Sequence, residues 1–405
     1  MQMNYEIKHG RIDFHFFGET GNYDKYSPAF ICGKDHVPEI VHLLASGQPY
    51  TLSRGDISGK LNIGGEQVEE AIIGLLRIGA IEESDNTYKL CFPVFLERDI
   101  LLIDKYLSPA GETIGQNILS LKDILHQKIE RLECRKIFTP ERILYHLICD
   151  EILDGEAFEF FSIQGILCAS KPQPDNRDYL IVGFEENETV YKYSCGLLCS
   201  SNNFRSGGFN FNSFGDANGT RKDIYRFFRS VQKNLEKATQ FDELNLAYIR
   251  LLNKANGDLA KKCGELILSM SRHGANINQL EGYDKDLINF LKEMEYLNID
   301  KSDGDVKLNI PVFQKTERAV INEISDLVLN CIHPQVRTLL ENFETQVPGL
   351  TALKHKVDPK EIANELWHQI FGRTNEYLVQ KEFVAMPKNI EGEGRYLKSL
   401  WICEE

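Results

Sequence analysis

The sequence has no long hydrophobic run. Its most apolar stretches, such as LLRIGAI at residues 75–81, are broken by charge within a few residues, whereas a membrane-spanning helix needs roughly 18 consecutive apolar residues. The first residues, MQMNYEIKHGRIDF, also lack the basic-then-apolar layout of a signal peptide. We therefore expect a cytoplasmic protein that does not enter the membrane.

The sequence is also poor in arrangements that bind metals or perform catalysis. It contains 10 cysteines, but only Cys195 and Cys199 lie close together, and no second pair or nearby histidine completes a zinc site. The phosphate-loop, nucleophile-elbow and H-E-x-x-H patterns are absent. Glu365 and His368 form one E-x-x-H, which we interpret as surface chemistry because no second helix matches it. We expect no enzyme, no cofactor and no metal site.

A basic excess is missing as well. The chain has 46 Lys and Arg against 60 Asp and Glu, which gives a formal net charge of −14. Proteins whose main task is binding nucleic acid are usually basic, because neutralising phosphates supplies most of the affinity. The composition therefore argues against a broad nucleic-acid surface, although it is compatible with a local basic patch.

What the sequence does contain is an internal repeat. KLCFPVFLERD, at residues 89–99, returns as KLNIPVFQKTE at residues 307–317. Matching positions keep a nearly constant separation, which is 218 residues for Pro93 and Pro311, 219 for Pro140 and Pro359, and 217 for Tyr179 and Tyr396. A constant separation over about 100 residues indicates duplication.

The repeat divides the sequence into two tandem copies of one unit. Copy one covers residues 1–186, with three helices and a hairpin at about 38–95, a helical region at 97–160 and closing strands at 163–186. Copy two covers residues 187–405, with opening strands at 187–216, a basic helix at 219–238, three helices and a hairpin at about 264–313, a helical region at 314–378 and closing strands at 379–405. The join, EENETVYKY, reads as one strand passing into another without a flexible linker. We expect an α+β fold in which the copies form a pseudo-dimer.

Each copy places three helices before a two-stranded hairpin. In copy one the segments are PEIVHLLASG, LSRGDISGK, EQVEEAIIGLLRIGAI and the hairpin AIEESDNTYKLCF, after which the proline of PVF ends the strand. In copy two they are ELILSMSRHG, ANINQLEG, YDKDLINFLKEMEYL and NIDKSDGDVKLNI. This order resembles the winged helix-turn-helix family over about 55 residues per copy. The resemblance implies transcription regulation, with duplex DNA as the partner and the third helix in its major groove.

The third helices supply candidate contacts to DNA. Copy two offers five residues on or just before its third helix: Arg272, Asn276, Lys285, Asn289 and Lys292. Copy one offers Gln67 and Arg77, but three carboxylates share their face: Glu66, Glu69 and Glu70. Because carboxylates face phosphates unfavourably, copy two is the better nucleic-acid candidate.

One element, GTRKDIYRFFRSVQKNLEKA at residues 219–238, is distinctly basic. Five cations follow the spacing of one helix face, with Arg221 beside them: Lys222, Arg226, Arg229, Lys233 and Lys237. This face would hold phosphates or an acidic partner. The alternative is a solvated helix face that neutralises an acidic neighbour.

A protein- or peptide-binding module is the competing interpretation. Acidic third helices and acidic hairpins disfavour DNA, while open sheet edges accept an extra strand from a partner. By analogy with the commonest use of the winged-helix fold, we nevertheless expect a regulator that binds DNA through duplicated winged helices. The alternative is a winged-helix scaffold for a protein or peptide partner, without direct DNA contact.

Overall fold

The computed structural model describes residues 10–403 and combines many helices with short sheets. The α-helices are α1 (Pro28–Cys32), α2 (Val37–Ser46), α3 (Arg54–Leu61), α4 (Gly65–Arg77), α5 (Glu97–Leu107), α6 (Ala110–Ser120), α7 (Lys122–Ile129), α8 (Pro140–Leu144), α9 (Ala157–Ile163), α10 (Glu188–Val190), α11 (Ile224–Glu236), α12 (Asp242–His273), α13 (Gly282–Glu293), α14 (Arg318–Gln346), α15 (Thr351–Lys354) and α16 (Pro359–Gln380). The strands are β1 (Ile12–Glu19), β2 (Ile81–Ser84), β3 (Thr87–Leu90), β4 (Val94–Phe95), β5 (Pro172–Gln173), β6 (Arg177–Glu185), β7 (Ser200–Ser206), β8 (Phe209–Gly215), β9 (Leu297–Ile299), β10 (Val306–Leu308), β11 (Val312–Phe313), β12 (Asn389–Ile390) and β13 (Gly394–Ile402). The expected mixture of helices and strands is confirmed. The start of copy one (residues 1–9) and the end of copy two (residues 404–405) lie outside the described residues.

The chain forms two compact units, each assembled from three stretches. Unit 1 takes the described residues up to Ile114, Gly155–Leu197 and Ile332–Thr374, and unit 2 takes Gly115–Asp154, Leu198–Cys331 and the described residues from Asn375 onward. Each unit therefore contains residues from both sequence copies. The compact units and the sequence copies are different divisions of the chain.

The sheet of unit 1 has the order β1–β6–β4, and β5 pairs with one end of β6. β1 and β6 are antiparallel, with Phe16 opposite Ile181. β4 runs parallel to β6, with Val94 opposite Gly183. A Cβ at Gly183 would lie 2.7 Å from the side chain of Ile12, so only glycine allows this close strand packing.

The proline before β4 does not end the hairpin strand, contrary to the sequence interpretation. The hairpin strand β3 already ends at Leu90, and Pro93 precedes a separate strand. The sequence pattern could not distinguish a hairpin strand that ends at Pro93 from a new strand that begins after it, because β4 has only 2 residues. The pairing of β4 with β6 joins residues that are far apart in the sequence.

Helices α2–α4 and the hairpin β2–β3 surround the hydrophobic core of unit 1. α3 begins at a capping box in which Ser53 and Asp56 accept hydrogen bonds from each other's backbone N–H groups. α4 buries Val68, Ile72 and Leu75 on one face, as their helical spacing predicts. The opposite face of α4 is thereby directed away from this core.

The sheet of unit 2 has the order β11–β13–β8–β7, and β12 pairs with β13. β8 and β13 are antiparallel, with Phe214 opposite Leu397. β11 runs parallel to β13, with Val312 opposite Leu400. Gly215 permits the β8–β13 contact, because a Cβ there would lie 1.9 Å from a backbone carbonyl oxygen.

Helices α11–α13 and the hairpin β9–β10 form the core of unit 2 together with its sheet. α11 contributes Ile224 and Phe228, while the last part of α12 contributes Ile267 and Met270. α12 runs without interruption for 32 residues. The first helix expected in copy two is therefore only the end of a much longer helix.

Three stretches differ from the sequence expectations. Residues 188–195, expected to open copy two with strands, are helical, because the Asn187 side chain caps α10 by accepting a hydrogen bond from the Val190 N–H. Residues 277–279 form one 3₁₀ turn where a second helix was expected. Helices also extend to Ile163 and Gln380, so the closing strands begin later than expected in both copies.

Within residues 10–403, no helix combines the length and the apolar character required to cross a bilayer. α12 and α14 have 32 and 29 residues, which is sufficient length. Charged residues recur along both helices, and Pro334 lies inside α14.

Candidate interaction surfaces

The outward face of α13 carries the main nucleic-acid candidates. α13 buries Leu287 and Ile288 in the core of unit 2. Lys285, Asn289 and Lys292 follow the i, i+4, i+7 spacing and are exposed. These three side chains therefore share one accessible side of the helix.

Carboxylates accompany these lysines. Asp284, Asp286 and Glu293 are also exposed on α13. The Nζ atom of Lys292 lies 3.5 Å from a carboxylate oxygen of Glu293. Because the exposed acids of this helix outnumber its lysines, α13 presents no net positive charge to a phosphate backbone.

Arg272 and Asn276, which precede α13, have different surroundings. Arg272 is exposed in the last turn of α12. The Nδ2 of Asn276 donates to the carbonyl oxygen of Asp303 at 2.9 Å and to Oδ1 of Asp305 at 2.8 Å, while its Oδ1 accepts from the Asn278 N–H at 3.0 Å. Both amide hydrogens of Asn276 are thus donated to the β9–β10 hairpin, which leaves neither of them available to a nucleic acid.

The basic stripe of α11 is partly neutralised inside unit 2. Two of its predicted contacts form ion pairs: Lys222 with Glu295 at 3.4 Å, and Arg229 with Glu236 at 3.8 Å. Arg226 is half-buried, whereas Lys233 is exposed. The stripe therefore resembles the neutralising face considered as the alternative more than an open phosphate site.

Arg221 is enclosed within unit 2 and is not accessible to a ligand. The residue is 2% exposed. Its Nη1 donates to the carbonyl oxygen of Ser213 at 2.6 Å, and its Nη2 donates to that of Ser200 at 2.8 Å and to that of Asp216. Burial lowers the pKa of the guanidinium, and the Asp223 carboxylate counteracts this effect. The prediction of Arg221 as a nucleic-acid contact is wrong, because this side chain joins the start of β7 to the end of β8.

The two candidates on α4 lie at opposite ends of the helix. Gln67 is exposed, but its Oε1 accepts a hydrogen bond from the Gly64 N–H at 3.0 Å and so caps its own helix. Arg77 is half-buried in the last turn, where it lines a groove. Of these two side chains, Arg77 is the one that lines this groove.

The groove beside α4 has a volume of about 560 Å³. It is lined by apolar residues of α1 and α4 and by both signs of charge: Ile31, Ile73, Glu66, Glu69, Glu70, Lys34 and Arg77. Ile73 is 42% exposed. Gly74 lets α1 approach α4 closely, since a Cβ there would lie 3.1 Å from the Ile31 side chain.

Carboxylates dominate the charge of this groove. Glu70 forms an ion pair with Lys34, and Glu69 forms one with Arg54. Within residues 10–403, Glu66 forms no ion pair. The groove therefore presents the apolar Ile73 beside three carboxylates, of which Glu66 is available to a cation of a ligand. Sequence analysis missed it because α1 was not recognised, although Ser27 followed by Pro28 is a typical helix start.

Both hairpins carry ionised carboxylates. A hydrogen bond from the Tyr50 hydroxyl at 2.6 Å, assisted by Lys89, lowers the pKa of Glu82 on β2. Hydrogen bonds from the hydroxyl and N–H of Ser302 lower the pKa of Asp300 beside β9. Both groups stay negative at neutral pH, so the hairpins would repel a phosphate backbone.

Glu365 and His368 of α16 are buried, so their interpretation as surface residues is wrong. They are 3% and 4% exposed, because the helix directs this face into unit 1. The His368 ring stacks on Phe17 with 4.5 Å between centroids. Burial raises the pKa of Glu365 to about 7 and lowers that of His368 to about 3. Across residues 10–403, no cluster of His, Cys, Asp or Glu has an arrangement suited to a metal ion.

Comparison with known proteins was made at three levels. No protein-family model matches the chain, and no curated protein or solved structure matches it. The surfaces described above are therefore the basis for functional inference.

Proposed function

We propose that this chain is a protein-binding scaffold whose groove beside α4 accepts a basic, amphipathic segment of a partner protein. The observation that carries the proposal is the lining of that groove. Glu66, Glu69 and Glu70 lie beside Ile73, which is 42% exposed. This lining fits a ligand that offers an apolar side chain flanked by lysine or arginine.

We propose further that the scaffold contains two winged-helix modules that arose by internal duplication and form a pseudo-dimer. The order α2, α3, α4, β2, β3 supports this, as does the order of the end of α12, the 277–279 turn, α13, β9 and β10. An irregular detail recurs as well, since Val94 pairs in parallel with Gly183 and Val312 with Leu400. The matched positions are 218 and 217 residues apart, close to the separations of the sequence repeat.

Duplex DNA is the second candidate partner, with transcription regulation as the function. It is favoured by the exposed series Lys285, Asn289 and Lys292 on α13. We rank it second because acids on the same helix would repel phosphates and reduce the gain from counterion release. If α13 reads DNA, replacing Lys285 and Lys292 by alanine lowers the affinity and the salt dependence together.

Calorimetric titration with a helical peptide of leucine and lysine tests the first proposal. We expect the full chain to bind this peptide. A Glu66→Gln variant should lose about fivefold in affinity, since one partly exposed charge pair contributes up to about 1 kcal/mol.

Glu293→Gln is the matched control, because Glu293 is an exposed carboxylate on α13 of unit 2. The control should keep the wild-type affinity. An equal loss in both variants would mean that the peptide is attracted to negative charge in general, and the groove would then not be the site.

We also propose a cytoplasmic location. Nine of the 10 cysteines are buried or half-buried. Cysteine used in this way, as a small buried hydrophobe, is typical of proteins from reducing compartments.

A further inference from the structure

A polar cluster lies inside unit 2, where a π-helical segment, Tyr145–Glu156, meets the strand β8. Asn210 and Asn212 flank Phe211, which belongs to the hydrophobic core of unit 2, so both amides lie on the other face of the sheet. The Nδ2 of Asn212 donates to Oδ1 of Asp150, on the π-helical segment, at 3.0 Å. Turns of π-helix are uncommon and frequently occur at functional sites.

Hydrogen bonds gather the side chains of this cluster around Asn203 of β7. The Oδ1 of Asn203 accepts from Nδ2 of Asn210 at 2.9 Å and from Nδ2 of Asn212 at 3.1 Å. Asn203 is exposed, whereas Asn212 and Asp150 are 3% and 4% exposed. The cluster therefore leads from the surface of unit 2 into its interior.

Three buried oxygen atoms of the cluster lack a hydrogen-bond donor within residues 10–403. They are Oδ2 of Asp150 and the Oδ1 atoms of Asn210 and Asn212. Each belongs to a side chain whose other polar atom is already bonded inside the cluster. Buried polar atoms without a partner are rare, and all three are acceptors. The missing partner is therefore a hydrogen-bond donor or a cation.

The charge of Asp150 favours a cation. Its burial, together with the carboxylates of Asp154 and Glu151, raises the pKa of Asp150 well above its usual range. Arg221 opposes this effect, but its guanidinium donates to backbone carbonyl oxygens of β7 and β8. Water would supply the missing hydrogen bonds and leave the negative charge uncompensated, whereas a cation satisfies the oxygens and the charge together.

We propose that Asp150, Asn210 and Asn212 bind a hard divalent cation, Ca²⁺ or Mg²⁺, which joins the π-helical segment to β8. Carboxylate and amide oxygens are ligands that both ions accept, whereas softer metals prefer nitrogen and sulfur. Two of the three ligands are amides, so this site differs from the clusters of His, Cys, Asp and Glu considered above. The side chains are fixed by hydrogen bonds, which favours Ca²⁺, because Mg²⁺ requires nearly ideal octahedral geometry.

Calorimetric titration of the EDTA-treated full chain with CaCl₂, and separately with MgCl₂, tests the proposal. We expect one Ca²⁺ per chain with a dissociation constant between about 10 µM and 1 mM, because the site has few charged ligands, and weaker binding of Mg²⁺. Asp150→Asn keeps the shape of the side chain, removes its charge and should weaken Ca²⁺ binding at least tenfold. Asp286→Asn makes the same change at an exposed position of α13 and should leave the dissociation constant unchanged.

A gain of affinity separates binding of the ion from a purely structural role of the cluster. Asn210→Asp adds a carboxylate to the site and should tighten Ca²⁺ binding several-fold, because ligand charge sets the affinity. Circular dichroism confirms that the variants keep their helices. A chain that takes up neither ion overturns the proposal, as does equal binding by the wild type and Asp150→Asn. An equal loss in Asp150→Asn and Asp286→Asn also overturns it, since the ions would then bind surface carboxylates in general.

Discussion

Replacing Arg221 by alanine should destabilise unit 2 strongly. The substitution removes hydrogen bonds to the carbonyl oxygens of Ser213 at 2.6 Å, Ser200 at 2.8 Å and Asp216. Hydrogen bonds from a charged donor contribute about 1.5–3 kcal/mol each, and their loss leaves buried acceptors without donors. Relief of the cost of burying the charge offsets part of this loss. We expect the free energy of unfolding of unit 2 to fall by about 3–5 kcal/mol.

Tryptophan fluorescence during urea unfolding measures this change in the correct unit. The chain has 2 tryptophans, Trp367 in unit 1 and Trp401 in unit 2. In a Trp367→Phe background, the emission therefore reports unit 2. Lys233→Ala, on the exposed part of α11, is the control and should change the free energy by less than about 0.5 kcal/mol. If Arg221→Ala behaves like this control, the enclosed role of Arg221 is wrong.

Three further substitutions test the interiors of the two units, and one of them is compared with a substitution at an exposed glycine. Glu365→Gln should stabilise unit 1 near pH 8 by up to about 3 kcal/mol and have little effect near pH 4. The reason is that burial raises the folded-state pKa of Glu365 from 4.5 to about 7, so the native protein loses stability as the pH rises through this interval. Urea unfolding of both proteins at about pH 4 and about pH 8 measures the difference in stability. A difference that does not change with pH would contradict the prediction. Gly264→Ala should lower the stability measured by thermal unfolding by about 1–3 kcal/mol, because a Cβ would lie 2.4 Å from the Phe209 ring. Gly59→Ala lies on a helix with open space around it and should raise the stability by about 0.5–1 kcal/mol. Asp99→Ala should lower the stability of unit 1 by about 2–4 kcal/mol, because the buried carboxylate accepts two backbone N–H groups at 2.9 and 3.0 Å; a loss below about 1 kcal/mol in urea unfolding would contradict this.

Regular elements of the fold could be predicted from local pattern. The spacing of Val68, Ile72 and Leu75 indicates α4, and all three are buried. The elements that were missed or misread are short, and a single cap decides them. Asn187 turns an apparent strand junction into a helix by accepting one hydrogen bond from Val190. A window of alternating apolar residues does not reveal such a bond.

The candidate surfaces likewise include features that the sequence predicts and features that it does not predict. Helical spacing was sufficient to predict that Lys285 and Lys292 are exposed. The burial of Arg221 was not predictable, because the sequence around a basic residue before a basic helix does not indicate which carbonyl oxygens surround its side chain. The groove beside α4 also depends on the approach of α1, where Gly74 meets Ile31. Tertiary contacts of this kind leave no periodic signal in the sequence.

The central claim is that these surfaces serve a protein partner and do not bind DNA. Fluorescence anisotropy of a labelled random duplex, titrated with the full chain at several salt concentrations, tests it most directly. We expect little binding and a nearly flat plot of log affinity against log salt, because the α4 groove, α13 and both hairpins carry exposed acids. Tight binding with a slope of about −3 or steeper, reduced by replacing Lys285 and Lys292 with alanine, would contradict the claim.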